Sequence, residues 1–247
     1  MSIDNGTRVA IVTGGSRGIG RAVVRRLAEQ GYAVVVGYAG NADEAAAAVK
    51  EAVAAGGRAL AYRADVADET AVAGMFAEAE SRFGGVDAVV NAAGRMALAP
   101  VADIDLDEMD ALHRTNIRGA FVVAREAARR VRPGGSITLF STSVIGTALP
   151  TYGAYAASKG AVEALTMVLA KEMRGRDVNV NTVAPGPTAT ELFLEGKSDE
   201  LVDRLAKLNP LERLAEPREI AEVTAFLATP AGHWVNGQVV RANGGMV

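Results

Sequence analysis

The feature that most restricts how this chain can fold is a glycine-rich turn set between an apolar run and an amphipathic one. Val9-Ala10-Ile11-Val12 leads into Thr13-Gly14-Gly15-Ser16-Arg17-Gly18-Ile19-Gly20, and from Arg21 to Gln30 apolar residues recur at helical spacing. Strand, turn and helix in that order make a βα unit whose helix N-terminus offers unpaired N–H groups to a phosphate. Gly14 allows the tight turn, while Gly18 and Gly20 allow a pyrophosphate and the helix itself to come close. The spacing is G-x-x-x-G-x-G rather than the more familiar G-x-G-x-x-G, so a turn without a ligand stays open at this point. The binding candidates in the turn are Gly14, Ser16, Arg17, Gly18, Ile19 and Gly20.

The rest of the chain keeps alternating. Strand-like runs fall at 33–36, 59–62, 86–91, 136–140, 178–183 and 238–241, and alanine-rich helical stretches at 43–55, 69–82, 105–131, 155–174 and 217–228. Continuous apolar strands separated by helices predict an α/β fold, a doubly wound and mainly parallel sheet covered on both faces. Gly56-Gly57, Gly84-Gly85 and Pro133-Gly134-Gly135 read as punctuation at helix ends. No Pro/Ser-rich linker, charge run or repeat divides the 247 residues, so a single domain, 1–247, is expected.

Composition excludes several classes of function. A net charge of −3 argues against a nucleic-acid surface. The absence of cysteine removes disulfides, thiolate metal sites and a cysteine nucleophile. With only His113 and His233, no metal site is expected. The first residues lack a charged-then-apolar signal pattern and no apolar run approaches the roughly 18 residues of a membrane span, so a soluble, cytoplasmic protein is expected.

Chemistry is suggested by Tyr155 and Lys159, which a helix would place on one face. An ammonium beside a phenol favours the phenolate, so the tyrosine can exchange protons nearer neutrality. Ser141, Thr142 and Ser143 bring hydroxyls to the end of a strand, where sites in α/β sheets lie.

Taken together, Thr13-Gly14-x-x-x-Gly18-x-Gly20, Asp65-Val66, Asn91-Ala92-Ala93-Gly94, Asn116, Ser143, Tyr155-x-x-x-Lys159 and Pro185-Gly186 follow the order of the short-chain dehydrogenase/reductase family. The chain resembles that family from about residue 8 onward, nearly its whole length. The resemblance implies a seven-stranded Rossmann sheet, a nicotinamide cofactor and hydride transfer between an alcohol and a carbonyl. It assigns Asp65 and Val66 to the adenine, and Asn91, Ala92 and Gly94 to the cofactor turn, with Ala92 in place of the family's second asparagine. Asn116 would anchor a water joined to Lys159, and Lys159 would also hold the nicotinamide ribose. Ser143 and Tyr155 would hydrogen-bond the substrate oxygen, with Tyr155 as general acid/base. Pro185 and Gly186 would pass beneath the nicotinamide, with the Thr188 backbone and the Thr190 hydroxyl near its carboxamide or phosphate. The interval from Ser143 to Tyr155 is one residue shorter than in many members, which leaves Thr142 and Ser141 as alternatives.

NADP(H) is the expected cofactor. An NAD enzyme usually carries an acid at the end of the second strand, whereas Val36-Gly37-Tyr38-Ala39-Gly40-Asn41 has none before Asp43. Arg17 can grip a 2′-phosphate and Asn41 can add a bond. Met96, Val144, Leu149, Pro150, Tyr152, Leu192 and Phe193 form the expected substrate wall, suited to a neutral, apolar ketone or aldehyde, under a lid at 191–210. Some family members reduce 3-oxoacyl chains on acyl carrier protein, and Arg129, Arg130 and Arg176 are the candidates to dock such a carrier. A non-catalytic NADP-binding sensor would have been marked by loss of Tyr155, Lys159 or the serine, and all are present. The family also implies a homo-oligomer, dimer or tetramer, through the helices at 105–131 and 155–174.

Overall fold

The sheet grows from the βα unit at the start of the chain. In the computed structural model, which describes residues 6–247, β1 (Val9–Thr13) is followed by α1 (Gly18–Glu29), β2 (Ala33–Tyr38), α2 (Ala42–Ala54) and β3 (Arg58–Arg63). Residues 1–5 of the expected 1–247 unit lie outside the described residues. α3 (Glu69–Phe83) crosses back to β4 (Val86–Asn91), and β5 (Val131–Phe140), β6 (Val178–Pro185) and β7 (Val239–Ala242) complete the order β3-β2-β1-β4-β5-β6-β7. Every pairing is parallel. The chain thus winds one way from β1 to β3 and the other way from β4 to β7. The reversal opens a crevice beyond the carboxyl ends of β1 and β4.

The central strands are apolar throughout because both of their faces are covered. Val9, Ile11 and Val35 pack with Met75 and Phe76 of α3, and with Val123 of α5 (Gly119–Arg130) and Leu169 of α7 (Gly153–Glu172). The alternate residues Ala10, Val12, Val34 and Val36 pack with Val23, Val24 and Leu27 of α1 and Ile220 and Leu227 of α10 (Pro217–Leu227). The period of two along each strand sends neighbouring residues to opposite cores, and that pins the register.

Two sequence-based expectations need correction. The stretch 105–131 is not one helix but α4 (Leu106–His113), a π-helical turn (Arg114–Arg118) and α5. The wide turn rolls Asn116 inward, where its amide bonds the Arg95 backbone at both ends and Ser158. That exchange of helix regularity for a buried polar contact is the usual reason for a π-bulge near a site. Pro133-Gly134-Gly135 does not end a helix either. It lies inside β5, where the register with β4 slips between Val86 and Ala88. α5 stops earlier, at Arg130, with Val131 already extended.

Candidate active site

The crevice begins at the glycine turn. Gly14 adopts φ +63°, and a Cβ there would lie 2.8 Å from the Ala93 backbone nitrogen. The β1 turn and the turn after β4 therefore touch main chain to main chain. Thr13 clamps them, its Oγ1 donating to Asn91 Oδ1 at 2.5 Å. Beyond the turn, α1 begins without any side-chain cap and without an acid in its first turn. By contrast α2, α3 and α4 are capped by Asn41, Asp68 and Asp105. Uncapped N–H groups at a helix start facing a crevice are a site for an anion.

That crevice is a cleft of about 650 Å³, lined by Gly14, Ser16, Arg17, Gly18, Ile19, Gly20, Asn41, Asp65, Val66, Ala92, Gly94 and Thr190. Asn91 is buried behind it in the Thr13 clamp. Arg17 is exposed at the mouth and pairs with Glu191 across the cleft at 3.3 Å. Asn41 spends its carbonyl oxygen on the Asp43 and Glu44 N–H groups, which leaves its amide nitrogen as the donor for a ligand. Glu44 also lines the cleft, an acid one position beyond those considered in the sequence.

Asp65 accepts from the Ala67 N–H at 2.9 Å and from Arg114 at 2.6 Å. Burial opposes its charge, but these two partners outweigh it and hold its carboxyl below the ordinary value. Arg114, on the π-helical turn, had no local sequence signal, since its partner lies in a different element.

The reactive groups meet where β4, β5 and α7 converge. Tyr155 and Lys159 share a face of α7, with the Lys159 nitrogen 5.8 Å from the tyrosine ring centroid. Lys159 Nζ donates to the Phe140 carbonyl at 2.9 Å. A Cβ at Gly94 would lie 3.5 Å from that nitrogen and 3.4 Å from Asn116 Oδ1, ordinary contact distances that place all three beside one another. Burial drives the Tyr155 phenol up to about 12, against a hydrogen bond from Thr142 that lowers it. Burial likewise pushes the Lys159 ammonium down to about 8. Burial is the largest influence on both groups in this structure.

The three hydroxyls have different partners. Thr142 lies near enough to the Tyr155 phenol to lower its pKa, and its Oγ1 accepts from the Val144 N–H at 3.3 Å. Ser141 Oγ donates to Glu163 at 2.6 Å. Ser143 Oγ contacts the Ala184 carbonyl at 3.4 Å and accepts from Asn243 Nδ2 at 3.0 Å. Ser141, Thr142 and Ser143 all line the cleft over Tyr155, and the bond from Asn243 occupies a lone pair of the Ser143 hydroxyl, not its proton.

A second cleft of about 140 Å³ opens over Tyr155. Met96, Val144, Leu149, Tyr152, Leu192 and Phe193 line it as expected, with Pro185, Gly186 and Thr188 on its floor. Pro150 is not part of the lining, whereas Leu205 and Met246 are. Ile19, Ala92, Gly94, Arg95, Thr190 and Leu192 border both clefts, so they form one continuous site. Thr190 caps the short helix α8 (Glu191–Leu194), accepting from Phe193 N at 3.3 Å. Thr188 Oγ1 donates to the Gly186 carbonyl.

The arginines considered for carrier docking all have partners within the chain. Arg129 and Arg130 grip the buried Glu126, and Arg130 also grips Glu80. Arg176 bonds the Ala128 and Val131 carbonyls. Arg130 directly precedes β5, at the amino end of the strands, whereas the site lies at their carboxyl ends. Among the described residues no helix is long and apolar enough to cross a membrane.

Known proteins are similar to this chain in sequence and in overall fold. A family model described as enoyl-(acyl carrier protein) reductase matches residues 14–247. A short-chain type dehydrogenase/reductase of Picea abies is 46% identical, with 98% of this chain and 93% of that protein covered. The NADPH-dependent aldehyde reductase 2, chloroplastic, of Arabidopsis thaliana is 44% identical, covering 96% and 93%. The crystal structure of a short chain dehydrogenase from Burkholderia cenocepacia J2315 in complex with NADP superposes with a TM-score of 0.91 at 34% identity, covering 98% of each chain.

Proposed function

This chain belongs to the short-chain dehydrogenase/reductase family, and from that premise we propose that it is an NADP(H)-dependent oxidoreductase interconverting apolar aldehydes or ketones and their alcohols. The observation that carries the reading is the convergence of Tyr155, Lys159 and Thr142 at the seam between an anion-ready cleft and an apolar one. Names among the relatives and neighbours point the same way: an NADPH-dependent aldehyde reductase and a dehydrogenase in complex with NADP.

The fit to the cofactor rests on the uncapped start of α1. The turn from Gly14 to Gly20 would hold the pyrophosphate, Asp65 and Val66 the adenine, and Arg17 with Asn41 the 2′-phosphate. Asn91, Ala92 and Gly94 would shape the ribose and nicotinamide end, with Pro185, Gly186, Thr188 and Thr190 on the opposite side. When bound, the nicotinamide supplies hydride to the carbonyl carbon. Tyr155 then delivers its proton to the carbonyl oxygen, and Thr142 donates a second bond to that oxygen in an oxyanion-type arrangement. In reduction a phenol that stays protonated is the correct acid, so the raised Tyr155 pKa suits this direction. Lys159 would hold the ribose and carry positive charge beside the phenolate left behind, with Asn116 ordering the inner end of the proton path.

Residues 191–210, with α8 and α9 (Asp199–Ala206), would act as a lid, since Leu192, Phe193 and Leu205 hang over the apolar cleft. A homo-oligomer is also supported, because α5 and α7 leave Phe121, Met167 and Val168 exposed.

The reading is tested by NADPH oxidation at 340 nm with apolar aldehydes, ketones, an enoyl thioester and a 3-oxoacyl thioester. Turnover of the simple carbonyls supports it, and exclusive turnover of a thioester would replace it. Two variants refine it. Thr142→Val is expected to lower kcat about 100-fold, the scale of one lost oxyanion donor, whereas Ser143→Ala keeps kcat within about tenfold; the reverse ranking would return the role to Ser143. Arg17→Ser is expected to weaken NADPH binding roughly 10- to 100-fold, as for a charged hydrogen bond, with little change for NADH. Fluorescence titration of both cofactors reads this directly.

A further inference from the structure

The residues after β7 fold back onto the site, and one side chain organises the return. Asn243 is buried, and its Oδ1 accepts from the Gly245 N–H at 3.0 Å and the Met246 N–H at 3.2 Å. Its Nδ2 donates to Ser143 Oγ at 3.0 Å and to the Val247 carbonyl at 3.3 Å. Gly244 and Gly245 adopt φ +67° and +86°, which lets the main chain reverse around that amide. The returning segment is also wedged on both sides. A Cβ on Gly186 would lie 2.9 Å from the Asn243 Cα, and a Cβ on Gly146 would lie 2.9 Å from a Val247 methyl. The outcome is that Met246 forms part of the wall of the apolar cleft, alongside residues of α7 and the lid.

Resting on the proposed carbonyl chemistry, we propose that Ser143 and Asn243 form a pin that holds Gly244–Val247 against the site, and that Met246 thereby sets the length of substrate accepted. Ser143 in this arrangement is a positioning residue. Its hydroxyl contacts the Ala184 carbonyl and accepts from Asn243, so it joins the ends of β5, β6 and β7. A methionine is well suited to the wall, because its unbranched thioether adapts to alkyl chains of different shape. Residues selecting by apolar volume discriminate modestly per methylene, roughly 10- to 200-fold. The proposal therefore concerns chain length and not the reacting carbonyl.

Two measurements test it independently. The first is kcat/KM with NADPH for straight-chain aldehydes from butanal to decanal. Met246→Ala is expected to move the optimum toward longer chains, with at least about a tenfold change in the long-to-short ratio, and Met246→Phe toward shorter ones. The effect should appear mainly in KM. An unchanged profile in both variants would overturn the assignment of Met246. The second is hydrogen exchange at the Gly245 and Met246 amides, which needs no substrate. Asn243→Ala is expected to speed exchange at both by about tenfold or more, and Ser143→Ala by a smaller factor at the same two sites. Protection equal to wild type in both variants would overturn the pin. If wild type reduces none of the aldehydes, the proposed function fails, while the exchange experiment still decides whether the pin exists.

Discussion

Tyr155→Phe is expected to lower kcat for carbonyl reduction by about 10³- to 10⁴-fold while leaving NADPH affinity within a few-fold of wild type. The substitution removes one oxygen and keeps the ring, so the edge-to-face contact with Tyr152, at 6.4 Å between centroids, survives. What is lost is the proton donor for the developing alkoxide, an effect usually worth about 10²- to 10⁴-fold, together with one of its two hydrogen bonds. Because that contact exists only as charge builds on the oxygen, the loss falls on kcat rather than on ground-state binding. Steady-state kinetics with a titration of NADPH fluorescence separates the two. Loss of cofactor affinity in proportion to kcat would show that the phenol binds rather than reacts.

Lys159→Met is expected to do something less common: to raise stability while abolishing most of the activity. The Lys159 ammonium is buried, and burial lowers its pKa from 10.5 to about 8. Keeping it charged at neutral pH therefore costs folding about 3 kcal/mol. Methionine fills much the same volume without the charge, but it leaves the Phe140 carbonyl without its donor, which takes back about 1–2 kcal/mol. The net gain should be on the order of 1–2 kcal/mol near pH 7, read as a higher Tm.

The pH dependence follows with a fixed sign. The unfolded chain holds this proton up to 10.5 and the folded chain only to about 8, so wild-type stability climbs as pH rises between them. The variant lacks that climb, and its advantage should shrink over the same window. Tyr155 acts in the opposite sense and higher up. Its folded pKa of about 12 exceeds the ordinary 10.0, so its contribution is full below pH 10 and is lost as pH rises toward 12. Activity should fall by about 10²-fold or more in Lys159→Met, the scale of a lost electrostatic stabiliser. In wild type, kcat/KM for reduction should decline as pH rises through about 8, where Lys159 loses its charge. A destabilised but active variant would contradict this account of the lysine.

The fold was legible because its signals are local and repeated. The apolar runs Val9–Val12 and Ala33–Val36, with alanine-rich helices between such runs, announce strands buried on both faces, and the parallel order follows from the connections. The helix break at Arg114–Arg118 was hidden, because Asn116 looks like an ordinary polar position until its partners Arg95 and Ser158 are brought to it by other elements. The same limit applies to the site. The glycine turn and the Tyr155–Lys159 pair declare themselves by spacing. Which of Ser141, Thr142 and Ser143 meets Tyr155 depends on how the strand end rotates, and the bond from Asn243 to the Ser143 hydroxyl comes from a distant strand end. Arg114 and Met246 carry no motif at all. They reach the clefts only because the sheet brings distant segments to its carboxyl edge. The raised phenol and the lowered ammonium are likewise properties of burial, which spacing alone does not reveal.

The most direct test follows the hydride itself. NADPH carrying deuterium at C4 would be incubated with wild-type protein and an apolar aldehyde or ketone, and the alcohol analysed by mass spectrometry and NMR. One deuterium at the carbinol carbon, absent when Tyr155→Phe is used over the same period, is the expected result. Tight NADPH binding with no labelled alcohol from any carbonyl, or label delivered equally well by Tyr155→Phe, would contradict the assignment of this chain as a Tyr155-dependent NADP(H) carbonyl oxidoreductase.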